Sequence, residues 1–305
     1  MHVLIATAKD QAAWRDGLAA HLPGAGVHID PDAPPCDYAV LWKPPPDLFA
    51  RQTRLKAMFS LGAGVDTLLA LPTLPRDVPL VRMEDAGMAA QMVEYALYIA
   101  LREFRGVRAY RDDQARAAWN PRPARARGDF RIGVLGLGVL GGEVARSLAA
   151  FGFDVTGWSR TPRAVHGVRC LHGPDALDAL LARSELLLAL LPVTAETEGL
   201  LDAPRLARLP PDAAVANLAR GGLLDEDALL RALDAGHVGA AYLDVFRDEP
   251  LPPAHPLWRH PRVEITPHVA ALTDVDAACR QVAAKVRQLE AGEAITGVVV
   301  RDRGY

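Results

Sequence analysis

Residues 132–142 read Ile-Gly-Val-Leu-Gly-Leu-Gly-Val-Leu-Gly-Gly, placing Gly136, Gly138 and Gly141 at G-x-G-x-x-G spacing where an apolar run ends. A run that stops at such a turn and resumes as a helix-length stretch, here 143–151, opens a strand–turn–helix unit. The rhythm continues downstream, with strand candidates at 131–136, 154–158, 185–191, 214–218, 240–245 and 264–265 separated by helix-length segments. Strands that alternate with helices form parallel sheets, because each crossover carries the chain back over the sheet. The spacing predicts a doubly wound sheet.

The chain ahead of this segment has the same character. Short apolar runs at 3–6, 38–42 and 57–60 alternate with helix-like stretches and Pro/Gly punctuation. Pro44-Pro45-Pro46 ends one strand in an extended surface loop, since proline supplies no ladder donor. Residues 89–119 carry apolar positions at helical spacing and predict a long helix or a pair broken at Gly106, stopped by Pro121-Arg122-Pro123. A further helix is predicted over 274–291. At 305 residues, the chain exceeds the size at which one core stops growing, so two domains are expected.

Composition excludes several functions. Half the residues are apolar and 23% are charged, an ordinary globular balance, and the net charge of −3 gives no basic field for nucleic acid or an anionic membrane. No stretch approaches the roughly 20 uninterrupted apolar residues of a membrane span. The N-terminus runs directly into a strand rather than a leader. Cys36, Cys170 and Cys279 lie far apart, without the spacing of a zinc or redox motif, so a reducing cytoplasm is expected and no metal site.

The glycine turn also carries chemistry. Glycines at this spacing allow a tight turn, close backbone approach to a pyrophosphate and close helix–strand packing, with the helix N-terminus aimed at the phosphates. Gly136, Gly138, Val139, Leu140 and Gly141 are therefore candidate dinucleotide-binding residues. The next strand, 154–158, ends where an acid normally receives the adenosine ribose. Here the chain has Ser159, then Arg160 and Arg163. A carboxylate would repel a 2′-phosphate, whereas a hydroxyl with two guanidinium groups can bind it. NADP(H) is expected as the preferred cofactor, with NAD(H) as the alternative.

Three later segments are more specific: Asn217-Leu218-Ala219-Arg220-Gly221-Gly222-Leu223-Leu224-Asp225-Glu226, Leu243-Asp244-Val245-Phe246-Arg247-Asp248-Glu249-Pro250-Leu251, and Thr266-Pro267-His268-Val269-Ala270. Their order and spacing resemble the D-isomer-specific 2-hydroxyacid dehydrogenases, as does the segment Leu61-Gly62-Ala63-Gly64-Val65-Asp66. Within that family the chain is most similar to bacterial glyoxylate/hydroxypyruvate reductases, through Arg82-Met83-Glu84-Asp85, Gln91-Met92-Val93-Glu94-Tyr95 and Arg303-Gly304-Tyr305.

The resemblance implies an α/β fold of two flavodoxin/Rossmann-like domains with parallel sheets. The substrate domain is discontinuous, 1–97 with 271–305, around a dinucleotide-binding domain at 98–270. It implies reduction of a small 2-keto acid to the 2-hydroxy acid, with Arg220, Glu249 and His268 as the catalytic set. Histidine titrates near neutrality and can protonate the oxygen that becomes negative, while Glu249 would orient the ring and favour its protonated form. Arg220 supplies a planar fork for the keto oxygen and carboxylate. Backbone N–H groups of Gly62, Ala63, Gly64 and Val65 would bind the carboxylate.

Other assignments keep two readings. Asp244 either contacts the nicotinamide carboxamide or caps a turn, and Pro192 either lines the cofactor or is a plain strand exit. Trp42 either walls the substrate pocket or is a core tryptophan. Apolar residues within 89–119 either serve the homodimer interface that the resemblance implies or pack within the monomer. Against the enzyme stands a cofactor-binding sensor or scaffold without turnover, since fold alone does not fix function. Within the enzyme reading, a bulkier 2-keto acid is the alternative substrate.

Overall fold

The computed structural model describes residues 1–304; Tyr305, part of the C-terminal segment that carries the resemblance, lies outside the described residues. The chain forms two compact units, Met1–Met88 together with the segment from Leu272 onward, and Ala89–Ala271.

The first unit begins β1 (His2–Ala6), α1 (Gln11–His21), β2 (Gly26–Ile29), β3 (Tyr38–Leu41), α2 (Leu48–Arg51), β4 (Ala57–Ser60), α3 (Asp66–Leu69) and β5 (Leu80–Val81). Its five strands lie parallel in the order β2-β1-β3-β4-β5, the flavodoxin-like order. β3 and β4 are buried at every residue, as continuous apolar strands covered on both faces must be.

The second unit runs α4 (Met88–Phe104), α5 (Val107–Ala115), β6 (Arg131–Leu135), α6 (Val139–Ala150), β7 (Asp154–Ser159), β8 (Arg169–His172), α7 (Pro174–Leu181), β9 (Leu186–Ala189), α8 (Ala203–Leu206), β10 (Ala213–Asn217), α9 (Glu226–Asp234), β11 (Val238–Leu243) and β12 (Val263–Ile265). The chain then returns to the first unit as α10 (Val275–Glu290), where Gly17 of α1 lets Cys279 approach: a Cβ there would lie 2.8 Å from the Cys279 sulfur.

The seven parallel strands take the order β12-β11-β10-β9-β6-β7-β8, a Rossmann-type sheet whose order reverses between β6 and β9. Alternation along the strands builds one core on each face. Ile132, Val134, Leu186, Leu188 and Ala214 join Met92, Ala96 and Ile99 of α4 and Val144 and Leu148 of α6. Leu135, Leu187, Ala189 and Val215 join residues of α7, α8 and α9.

The stretch 89–119 is a broken pair. Gly106, at φ +64°, separates α4 from α5 in a conformation glycine adopts without strain. The two compact units divide at Met88, in the first turn of α4. The reason is that α4 continues unbroken through 97 and its apolar side packs into the second unit's core from Met92 onward. β2, β5 and β8 were not expected from the sequence.

Candidate active site

The glycine turn lies at the reversal point of the sheet. Gly136 leaves β6 at φ +102°, and a Cβ there would sit 2.6 Å from the carbonyl oxygen of Leu190, just past β9. A Cβ on Gly141 would sit 2.0 Å from the Gly136 carbonyl oxygen, so α6 closes onto the turn only as glycine. Gly138 differs: no atom lies within 4 Å of its Cβ position, and it begins α6 without a side-chain cap. The first-turn N–H groups of α6 thus stand behind open space, a cradle that suits a pyrophosphate. Val139 is exposed at this end, while Leu140 packs onto the core.

At the end of β7, the Ser159 hydroxyl donates to the carbonyl of Thr161 at 2.8 Å. Its proton is therefore spent within its own turn. Arg160 and Arg163 are exposed. Arg160 pairs with Glu196 at 2.8 Å, a partner the sequence reading did not foresee. Pro192 is half-buried after β9, and its carbonyl accepts from the Thr197 hydroxyl at 2.6 Å, which fixes the 192–197 turn.

Arg220, Glu249 and His268 follow β10, β11 and β12, three neighbouring strands. Buried Asn217 holds the first loop: its amide nitrogen donates to the Arg220 carbonyl at 2.8 Å and its oxygen accepts from Ala219 N–H at 3.3 Å. The Arg220 guanidinium donates to the Ala219 carbonyl at 2.7 Å. Gly221 rests directly on the next loop, where a Cβ would lie 1.8 Å from the carbonyl carbon of Phe246.

Glu249 Oε1 accepts from Phe246 N–H at 3.1 Å, and Oε2 lies 2.9 Å from His268 Nδ1. An ionised carboxylate only accepts, so Nδ1 carries the hydrogen of that bond and Nε2 is the ring's other working nitrogen. His268 itself sits at φ +57°, the left-handed region that a residue with a Cβ avoids unless held there.

Asp244, 1% exposed, holds it. Its backbone carbonyl accepts from His268 N–H at 2.7 Å, and its carboxylate accepts from Thr266 Oγ1 at 2.7 Å and from the N–H groups of Val269 and Ala270 at 2.8 and 2.9 Å. Of the two readings kept for Asp244, this geometry supplies the turn-anchoring one. Sequence reasoning missed the roles of Asn217 and Thr266 here, although both stand inside the quoted motifs.

In the first unit, the half-buried Trp42 ring lies over Gly62, whose Cβ would sit 2.9 Å from it. Glycine is the residue that lets the indole pack onto the 62–65 loop. The Ser60 hydroxyl takes the Gly62 N–H at 3.3 Å, so an anion at this loop would rely on the N–H groups of Ala63, Gly64 and Val65.

Among the described residues, no group of three or more His, Cys, Asp or Glu is placed to hold a metal ion. No helix among them is long and apolar enough to cross a membrane.

The model of the D-isomer specific 2-hydroxyacid dehydrogenase NAD binding domain matches residues 97–270. The glyoxylate/hydroxypyruvate reductase A of Serratia proteamaculans is 50% identical over 299 residues, 96% of each chain. A D-isomer specific 2-hydroxyacid dehydrogenase from Xanthobacter autotrophicus Py2, solved with NADPH and MES, superposes with a TM-score of 0.95 at 43% identity, covering 100% of this chain and 99% of that one. An NADPH-dependent glyoxylate/hydroxypyruvate reductase from Sinorhizobium meliloti, solved with NADP and sulfate, gives 0.93 at 39% identity, covering 100% and 99%. Likeness that runs through the nucleotide-binding segment and then from end to end leaves one conclusion: this chain belongs to the D-isomer-specific 2-hydroxyacid dehydrogenase family.

Proposed function

We propose that this chain reduces glyoxylate and hydroxypyruvate, small 2-keto acids, with NADPH. The observation that carries the reading is the Glu249–His268 pair, 2.9 Å apart on loops that leave neighbouring strands beside the one bearing Arg220. The names of whole-length relatives at 42 to 50% identity support the substrate class. Related structures with bound NADPH or NADP support the cofactor.

When bound, the reduced nicotinamide supplies the hydride to the carbonyl carbon. His268 gives the Nε2 proton to the oxygen that gains the electron pair, while Glu249 keeps Nδ1 hydrogen-bonded and the ring in orientation. Arg220 polarises the carbonyl with its planar fork, and the N–H groups of Ala63, Gly64 and Val65 take the carboxylate. Trp42, packed on Gly62, limits substrate size. The open first turn of α6 (Gly138, Val139, Leu140), beside Gly136 and Gly141, holds the pyrophosphate, with Pro192 bordering it. Asp244, buried with both carboxylate oxygens engaged, serves by anchoring the His268 loop. Arg160 and Arg163 bind the 2′-phosphate with Ser159 as a backing hydroxyl, Arg160 exchanging Glu196 for it.

The first unit is then the substrate domain and the second the dinucleotide domain. We assign the second unit a homodimer interface around α4 and α5, where Tyr98 and Tyr110 are exposed and Trp119 beyond them is 94% exposed. Three free thiols fit a cytoplasmic protein.

The test is initial-rate oxidation of NADPH, and separately of NADH, with glyoxylate, hydroxypyruvate and a bulkier 2-keto acid. Fast NADPH turnover with the two small acids is the expected result. Cofactor binding without turnover on any of the three overturns the reading.

A further inference from the structure

We propose that Tyr95 and Thr266 are positioning residues for His268, acting through the carboxylate of Asp244. This rests on the reading of His268 as the proton donor. The hydrogen-bond chain runs from α4 to the strand exits: Tyr95 Oη lies 2.5 Å from Thr266 Oγ1, which lies 2.7 Å from Asp244 Oδ1.

The direction of each bond follows from the donor inventory. Asp244 accepts from two backbone N–H groups and from Thr266, whose single hydroxyl proton is spent there. Thr266 therefore accepts from Tyr95, and the phenol must keep its proton. Burial pushes the Tyr95 phenol upward, and the nearby Asp244 and Glu264 charges add to it, so it stays a donor at neutral pH. Successive bonds of this kind polarise one another in a dry interior.

What the chain holds is the backbone of 266–270. His268 at φ +57° is kept in place by its N–H bond to the Asp244 carbonyl, with Val269 and Ala270 pinned by the same residue's carboxylate. Thr266, itself bonded to Tyr95, adds a third anchor to that carboxylate, on the Oδ1 that also takes the Val269 N–H. Tyr95 in turn sits on a helix whose Met92, Ala96 and Ile99 are in the core. A helix 171 residues upstream thus helps to fix where the donor imidazole stands.

The experiment uses the full chain carrying Tyr95→Phe, Thr266→Val or Thr266→Ser. Four quantities are read: kcat, KM for glyoxylate, NADPH affinity by fluorescence, and amide hydrogen exchange across 266–270. Thr266→Val is expected to lower kcat about tenfold or more, since small misplacements of a reacting group are costly, with KM and NADPH affinity within about twofold. Thr266→Ser, which keeps the hydroxyl, restores most of kcat. Tyr95→Phe, which deletes one oxygen, loses about threefold. Exchange at Val269 and Ala270 quickens in the Val and Phe variants while other regions stay unchanged.

Wild-type kcat in both Thr266→Val and Tyr95→Phe overturns the proposal, as does an equal loss in the Val and Ser variants. An unmodified enzyme that turns over none of the acids rejects the proton-donor reading instead. The exchange measurement then still decides whether the chain holds the loop.

Discussion

Glu249 divides its two oxygens between backbone and ring: Oε1 takes the Phe246 N–H at 3.1 Å, and Oε2 meets His268 Nδ1 at 2.9 Å. The carboxylate is thereby fixed to its own turn before it touches the imidazole, so ring orientation follows from the shape of the 246–249 loop.

Removing either member of that pair should separate chemistry from binding. His268→Ala is expected to lower kcat by about 10²- to 10⁴-fold, the usual contribution of a positioned acid, and Glu249→Gln by less. NADPH affinity by fluorescence titration should hold in both. Unchanged turnover in His268→Ala would remove it as donor.

Cofactor choice should respond to the turn after β7. Replacing Arg160 and Arg163 together with Ala should weaken NADPH far more than NADH. Glu196→Gln, which releases Arg160 from its 2.8 Å ion pair, should tighten NADPH up to a few-fold, in keeping with the small worth of an exposed pair. Equal effects on the two cofactors in the double variant would refute phosphate recognition there.

Gly221→Ala should be costly in a way no sequence preference reveals. Its added methyl would fall 1.8 Å from the Phe246 carbonyl carbon, so the Arg220 and Glu249 loops would have to part. A loss of about 1–3 kcal/mol is expected from such overpacking, read as a lower urea midpoint. Activity should fall as well, because Arg220 is the adjacent residue.

Acid should weaken the first unit through Glu84. Burial opposes its ionisation, but the Thr296 hydroxyl at 2.5 Å and the Lys285 ammonium at 2.9 Å outweigh that and hold its carboxyl below the ordinary range. The folded pKa is the lower one, so the stabilisation is full above the unfolded value of about 4.3 and is lost as pH falls through the folded value. Urea midpoints from pH 7 down to 3 should therefore drop less steeply for Glu84→Gln than for the natural chain. Parallel curves would exclude this group.

The glycine turn was legible because its residues stand at fixed spacing after an apolar run, and the alternation of strands and helices predicted a doubly wound sheet, while the trio at 220, 249 and 268 came from the family resemblance of the segments that carry it. β8 escaped notice because its burial runs exposed, half-buried, half-buried, exposed, so an edge strand leaves no period-two signature. β2 is half-buried throughout, and β5 has only two residues. The unit boundary at Met88 depends on which core receives α4, a tertiary fact. Tyr95 and Glu196 were silent for the same reason: their partners lie 171 and 36 residues away, and no local pattern ties a phenol on a helix to a threonine beyond a strand.

Arg220, Glu249 and His268 each leave one of three strands that lie side by side, and adjacent strands in any sheet are spaced about 4.8 Å apart by their hydrogen-bond ladder. The sheet therefore works as a ruler. Loop length can drift over evolutionary time without altering the lateral pitch at which the three groups are presented, so the ladder between β10, β11 and β12 is the gauge against which each loop is trimmed.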